Sequence, residues 1–155
     1  MKAIIFLVLV TLSICDYDLK KAVYYAKDNC EFYNSTYKFS KSNEPSNFIS
    51  QCLIAGGQSL EDCSNRMGNG VIKGTSSLIQ CLMQHKWIEY ELLPRSIKPG
   101  WIVTDKQKSQ FIGIITDING GIKYCSHGDI YSQFSCDEPL EKTYEELYYY
   151  YAPPN

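Results

Sequence analysis

The stretch that decides the fold prediction is residues 44–57, EPSNFISQCLIAGG. Pro45 suits the first turn of a helix, because the N–H group that proline lacks would have no partner there. Gly56 and Gly57 at the other end are typical of a helix C-terminus. Between these ends, four apolar side chains recur at helical spacing and share one face: Phe48, Ile49, Cys52 and Leu53. We therefore predict a helix that packs this face against a core.

Two other segments have helical periodicity. Residues 16–29, DYDLKKAVYYAKDN, place Leu19, Val23 and Ala26 on one face after an acidic start. Residues 76–86 carry a second apolar stripe, made by Leu78, Ile79, Leu82 and Met83. The chain therefore opens with three predicted helices.

The periodicity changes after Trp87. Residues 101–103, 111–116 and 122–125 are short runs rich in β-branched and aromatic side chains, which favour strands. Asn119-Gly120-Gly121 lies between the last two runs and indicates a hairpin turn. Residues 130–134 add a candidate strand, and residues 144–151 fit a closing helix or a strand. Helices followed by an antiparallel sheet predict an α+β fold in one domain.

The N-terminus has the layout of a secretory signal peptide. Residues 1–15, MKAIIFLVLVTLSIC, place Lys2 before an apolar run and small residues near Ser13 and Cys15. The run is shorter than the roughly 20 apolar residues that a spanning helix needs, so we expect no stable membrane insertion. Cleavage near Cys15 would leave residues 16–155 as one domain with a Tyr-rich tail from 144. We expect the product to be secreted or lumenal.

Six cysteines remain after such cleavage, and an even number in an exported chain predicts disulfides. The candidates allow up to three bridges and 15 connectivities: Cys30, Cys52, Cys63, Cys81, Cys125 and Cys136. No CxxC or paired Cys/His spacing in the sequence suggests zinc, so we expect no metal site and no cofactor. Asn34-Ser35-Thr36 is a candidate glycosylation sequon.

Charge and composition restrict the classes of partner that this chain is expected to bind. The formal net charge is −2 and the basic residues form no stripe, which argues against nucleic acid. The chain has 13 tyrosines, five of them in the tail YEELYYYYAPPN. Clustered tyrosines suit assembly or cross-linking, so a disulfide-rich structural or surface-coat protein is one hypothesis. The other interpretation is an aromatic flap packed on the sheet.

Residues 46–53, SNFISQCL, and the following Gly56-Gly57 are similar to a family motif. The chain resembles the putative amidase domain of the NlpC-like and CHAP-like cell-wall hydrolases. Their motif reads Asp-Cys-Thr-Asn-Phe-Val-Ser-Gln-Cys-Leu, a short spacer and Gly-Gly. The resemblance extends over about residues 20–135, with further similarity at residues 76–79, 86–87, 98–101, 111–116 and 124–127. It implies a rearranged papain-like fold.

The family's chemistry is Cys–His acyl transfer, which cleaves an amide in a peptide or a peptidoglycan stem. Here the position of the family's cysteine is Pro45, and that of its histidine is Phe111, or Gln110 if the register slips by one. Trp101 replaces an aspartate, and only His127 remains, in the place of the family's later histidine. Because such groups work as a unit, the resemblance implies a pseudoenzyme with no catalytic residues.

Two further interpretations follow from the same residues. In the first, the old cleft persists and binds a glycan, a cell-wall fragment, a peptide or a protein. Its lining would be Pro45, Ser46, Asn47, Trp101, Phe111 and His127, unless Trp101 and Phe111 only fill the emptied cleft as core. In the second, an active hydrolase uses a relocated nucleophile, Ser46, with His127 or His85 as its base. The alternative role for Ser46 is a hydroxyl of the first helical turn.

Overall fold

The computed structural model describes residues 17–37, 44–108, 111–128, 134–140 and 147–155. The signal peptide expected at residues 1–15 therefore lies outside the described residues. So do Gln110, most of the strand expected at 130–134, and the first residues of the tail, 144–146.

Three helices form at the predicted places. They are α1 (Leu19–Asn29), α2 (Glu44–Ala55) and α3 (Thr75–Gln84). The side chain of Asp18 caps α1 by accepting hydrogen bonds from the backbone N–H groups of Lys20 and Lys21, at 3.0 and 3.1 Å. Gly57 follows α2 with a φ of 88°, the left-handed conformation that glycine adopts without strain. None of the described helices has the length and apolar character needed to cross a membrane.

A six-stranded antiparallel sheet completes the fold. The order across the sheet is β1-β6-β2-β3-β4-β5. The predicted turn at Asn119-Gly120-Gly121 connects β3 to β4. The strands are β1 (Ile88–Tyr90), β2 (Ile102–Asp105), β3 (Ile112–Asp117), β4 (Lys123–His127), β5 (Phe134–Pro139) and β6 (Tyr148–Ala152). The structure thus confirms the α+β class with an antiparallel sheet.

The Tyr-rich segment is a strand inside the sheet. β6 lies between β1 and β2, with Val103 opposite Tyr150 and Ile102 opposite Tyr151. Tyr150 and Tyr151 are fully buried, and they belong to different core clusters. The expected flap on top of the sheet is therefore corrected: β6 supplies both hydrogen bonds within the sheet and core side chains.

The sheet separates two cores. The helices cover one face, where alternate strand residues pack against them: Ile102, Ile112, Ile114, Cys125 and Tyr151. The opposite face carries a second, aromatic-rich cluster, whose members include Trp101, Val103, Phe111, Ile115, Tyr124 and Tyr150. Two consecutive residues of one strand therefore contribute to different cores.

Gly100 fixes the contact between α1 and the sheet. Its φ is 93°, and a Cβ added there would lie 2.7 Å from a methyl carbon of Leu19. Its N–H donates to the carbonyl of Ile115, and its carbonyl accepts from the Tyr17 hydroxyl. Only glycine combines this conformation with such a close approach, so the turn before β2 holds α1 against the sheet.

The six cysteines that the structure describes form two bridges. Cys30–Cys136 connects the end of α1 to β5, and Cys63–Cys81 connects the loop after α2 to α3. Cys52 and Cys125 are free and buried, so the expected pairing of all six is corrected. Both lie in the core between the helices and the sheet, where a thiol packs as a small apolar group.

Candidate functional site

The N-terminus of α2 meets the end of β4. Pro45 lies in the first turn of α2 and is half-buried. A Cβ added at Gly128, which follows β4, would lie 3.2 Å from the Cδ of Pro45. The fold therefore brings Pro45 and His127 into the same region, from positions far apart in the chain. This is the place where the resemblance implies a catalytic site.

Both ring nitrogens of His127 are engaged. Nδ1 lies 3.1 Å from Oε1 of Glu44, and Nε2 lies 3.1 Å from the backbone carbonyl oxygen of Asn29. The carbonyl only accepts, so Nε2 carries a proton and donates it. Nδ1 and the Glu44 carboxyl group hold another proton between them. Wherever that proton lies, the ring has no lone pair free for a substrate or a nucleophile.

Aromatic rings enclose this histidine. Phe48 of α2 stacks on it, with ring centroids 3.8 Å apart and planes 16° from parallel. Tyr33 and Phe134 approach with their edges, at 5.6 and 4.9 Å between centroids. The side chains of His127 and Glu44 are only 2% and 4% exposed. The pair is therefore shielded from water, which strengthens the interaction between its members.

Ser46 and Asn47 are both buried and hydrogen-bonded within the fold. The Oγ of Ser46 accepts a hydrogen bond of 2.9 Å from the backbone N–H of Gly74, just before α3, and the residue is 1% exposed. The Asn47 side chain accepts from Gln51 and donates to Glu44. The Ser46 contact therefore fixes the start of α2 to the segment before α3, while these two Asn47 contacts lie within α2 itself. The first contact agrees with the structural interpretation of the Ser46 hydroxyl.

Trp101 and Phe111 lie on the other side of the sheet. Phe111 packs edge-on against Tyr124 and Trp101 stacks on Tyr90, both in the cluster away from the helices. Ile112, and not Phe111, faces α2. The expected cleft shared by Trp101, Phe111 and His127 is therefore corrected, because the strand alternation turns the two aromatic residues to the opposite face.

The sequon asparagine is half-exposed. The Oδ1 of Asn34 accepts from the backbone N–H of Thr36 at 2.9 Å, which forms an Asx turn. Its Nδ2 donates to the Tyr25 hydroxyl at 2.8 Å. The local turn holds the sequon on the surface of the loop that follows α1.

Sequence reasoning missed two polar groupings. Glu44 was not recognised as the partner of His127, because 83 residues separate them. The second grouping surrounds His85, which was considered from the sequence only as a base for Ser46. In the structure its side chain is 22% exposed, and its Nε2 lies 2.9 Å from Oδ1 of Asp62 and 3.7 Å from Sγ of Cys63. The acidic residue directly before Pro45 was the only local signal for the first grouping.

A surface groove runs beside α1. Its walls are mainly apolar and include Leu19, Val23 and Pro99. Three lysines also line it, Lys20, Lys27 and Lys98. The Lys27 ammonium is paired with Asp137, at 3.0 Å. A groove of this kind suits a ligand that has both an apolar part and a carboxylate.

The sequence of this domain matches the model of a known protein family. The model of the putative amidase domain matches residues 16–116. The chain belongs to the putative amidase domain family. The matched part of this amidase-like domain contains α1 to α3 and ends in β3, so His127 lies beyond it. No curated protein and no solved structure matches the chain.

Proposed function

We propose that this amidase-like domain is a catalytically inactive member of its family that acts by binding. We further propose that it is related to the NlpC-like and CHAP-like hydrolases and has their rearranged papain-like fold. The support for this relationship is the position of the N-terminus of α2 beside the end of β4. In the proposed ancestor, a cysteine at this helix terminus would have had its thiolate stabilised by the helix dipole.

The observation that carries the proposal is the state of the residues at this terminus. Pro45 has no ionisable group, and His127 is buried with both nitrogens engaged by Glu44 and Asn29. A general base must reach the proton that it removes with a free lone pair. In the proposed ancestor, this junction of α2 and β4 would activate a nucleophile. Here the Glu44–His127 pair stabilises the junction instead.

The geometry also argues against a nucleophile relocated to Ser46. Its hydroxyl oxygen holds the backbone of Gly74, and the two nitrogens of His127 bind other atoms. His85, the other candidate base, is paired with Asp62. Neither histidine is therefore oriented to activate the Ser46 hydroxyl.

The groove beside α1 is the surface that we propose for ligand binding. Its apolar wall and its lysines fit a cell-wall fragment, whose peptide stem carries carboxylates. A glycan without charge, or a protein, would use these lysines less. The groove adjoins the Lys98-Pro99-Gly100 turn, which is one of the segments similar to the amidase motif.

Hydrolysis is tested with the purified oxidised protein on peptidoglycan and on a broad peptide library, with products read by mass spectrometry. Ser46→Ala and His127→Ala variants are run beside it. We expect no cleavage from any of the three. Cleavage that disappears in either variant would show a rebuilt active site and would refute the inactive assignment.

Binding is tested by calorimetric titration with soluble peptidoglycan fragments. Reversing the charge of Lys20 and Lys98 together to glutamate is expected to weaken binding at least tenfold. Lys73→Glu is the matched control, because Lys73 is exposed and lies outside the groove. Equal affinities of all these proteins would rule out the groove as the binding surface.

A further inference from the structure

Four potential metal ligands meet between the loop after α2 and the end of α3. The side-chain donor atoms of Cys63, Cys81 and His85 all lie within 4.8 Å of one another. Oδ1 of Asp62 is 2.9 Å from Nε2 of His85 and 3.9 Å from Sγ of Cys63. Two thiolates, one imidazole and one carboxylate are a donor set typical of zinc.

The elements that carry these residues bring them together independently of the bridge. Cys81 and His85 are four residues apart, so they share one face at the end of α3. The backbone N–H of His85 donates to the carbonyl of Cys81, which continues the helical pattern. On the other side, Asn65 donates to the Ser77 hydroxyl at 2.8 Å and holds the Cys63 loop against α3.

We propose that Asp62, Cys63, Cys81 and His85 form a zinc site when the Cys63–Cys81 bridge is reduced. In the oxidised protein the two sulfurs are bonded to each other, and His85 pairs with Asp62. After reduction, the two sulfurs, Nε2 and Oδ1 coordinate one Zn²⁺ as a tetrahedron. Nε2 and Oδ1 move apart only slightly, to about 3.3 Å, since each lies about 2.0 Å from zinc.

The zinc site forms in two steps, reduction of the bridge and binding of the metal ion, and electrons and protons balance in each. A dithiol reductant donates two electrons and two protons to the bridge, yields the thiols of Cys63 and Cys81, and becomes a disulfide itself. Zn²⁺ then displaces the two thiol protons and binds both thiolates, so two protons are released for each metal ion. Redox state therefore selects between a covalent and a metal cross-link at one place in the fold.

Access to the site favours metal exchange. The Asp62 side chain is 71% exposed and that of His85 is 22% exposed, while the sulfurs lie deeper. An ion can reach the site from the solvent side, where the Asp62 carboxylate attracts it. The sequence did not reveal this set, because 18 residues separate Cys63 from Cys81. The expectation of no metal site is revised by this proposal.

The test measures zinc binding by protein reduced with a phosphine, under anaerobic conditions and in competition with a chromophoric chelator. We expect one zinc per reduced chain and none in the oxidised protein. His85→Ala should weaken binding at least 100-fold and Asp62→Asn about tenfold, given that even outer-shell partners change affinity 10- to 100-fold. Co²⁺ in place of zinc should give the absorption of a tetrahedral thiolate site.

The matched control is the double variant Cys30→Ser and Cys136→Ser, which removes the other bridge and should leave zinc affinity unchanged. A folded, reduced protein that binds no zinc would overturn the proposal, as would equal affinity of His85→Ala. Circular dichroism reports the fold. If the reduced protein unfolds without metal, zinc should restore the fold in the wild type and not in His85→Ala; no recovery would also overturn the proposal.

Discussion

At the scale of single residues, the Glu44–His127 pair is the feature on which the proposed loss of catalysis rests. Both side chains are almost completely buried, and their polar atoms have hydrogen-bond partners. Buried polar groups that lose a partner are costly, because the remaining group keeps its desolvation penalty. The pair should therefore matter for stability, while it offers nothing to a substrate.

Replacing Glu44 by alanine should lower the free energy of unfolding by about 3 kcal/mol, because Nδ1 of His127 then loses its buried partner. Urea denaturation of the oxidised protein measures the change. The matched control is Lys21→Ala, which removes a pair with Asp18 whose side chains are 72% and 42% exposed. That change should cost less than about 0.5 kcal/mol. Equal, small losses in both variants would contradict the assigned role of the pair.

Glu89 should give the protein a measurable dependence on pH. Desolvation acts to raise the pKa of Glu89, but hydrogen bonds from Lys108 and Tyr151 and the charge of Lys108 hold it below the ordinary value of 4.5. A carboxyl group whose pKa is lower in the folded state stabilises the fold above its unfolded pKa. This stability is lost as the pH falls through the folded-state value.

Urea denaturation at about pH 6 and about pH 3 measures this contribution as the difference between the wild type and Glu89→Gln. The wild type should lose more stability on acidification than the variant, because only the wild type must protonate this carboxylate. Other acidic groups affect both proteins alike. Parallel losses in the two proteins would show that the Glu89 contacts contribute nothing.

At the scale of elements, local signals predicted the helices and one hairpin, and tertiary contacts decided the rest. Pro45 and the glycine pair after α2 mark a helix by their backbone preferences alone. The four consecutive tyrosines of β6 show no alternation of apolar and polar residues, because the strand is buried on both faces. The sequence pattern therefore could not distinguish a strand from a helix here. The face of Phe111 depends on strand register, which no local signal near Phe111 specifies.

Truncating Tyr150 to alanine should destabilise the domain by about 3–5 kcal/mol, because a fully buried aromatic ring leaves a cavity. Tyr149→Ala is the comparison, since this side chain is only half-buried and contacts Lys108. Thermal denaturation and light scattering report stability and assembly. A lost oligomer with an unchanged melting temperature would instead support the structural or surface-coat hypothesis.

The two free thiols should be unreactive in the folded protein. Burial raises the pKa of Cys52 and raises that of Cys125 to about 11, so both stay protonated near neutral pH. In protein that lacks residues 1–15, and so Cys15, a thiol-specific disulfide reagent should therefore detect almost no thiol in the native state and two after unfolding without reductant. Finding none after unfolding would reveal a third bridge, and rapid labelling of native protein would contradict their burial.

At the scale of the whole molecule, the fold was more predictable than the site. Each amidase-like segment is a short, continuous stretch of sequence, so it could be recognised before any contact was known. The site depends on contacts between α1, α2 and β4, which join Asn29, Glu44 and His127 across 98 residues of the chain. The proposal that Pro45 stands in place of the family's cysteine needed only the motif, while the occupied nitrogens of His127 needed the three-dimensional arrangement.

The most direct test of the central claim is the hydrolysis assay on wild-type, oxidised protein. After prolonged incubation with peptidoglycan and with the peptide library, mass spectra should match those of the protein-free blank. The result that would contradict the account is a set of new amide-cleavage products that is absent from the blank and disappears with Ser46→Ala or His127→Ala.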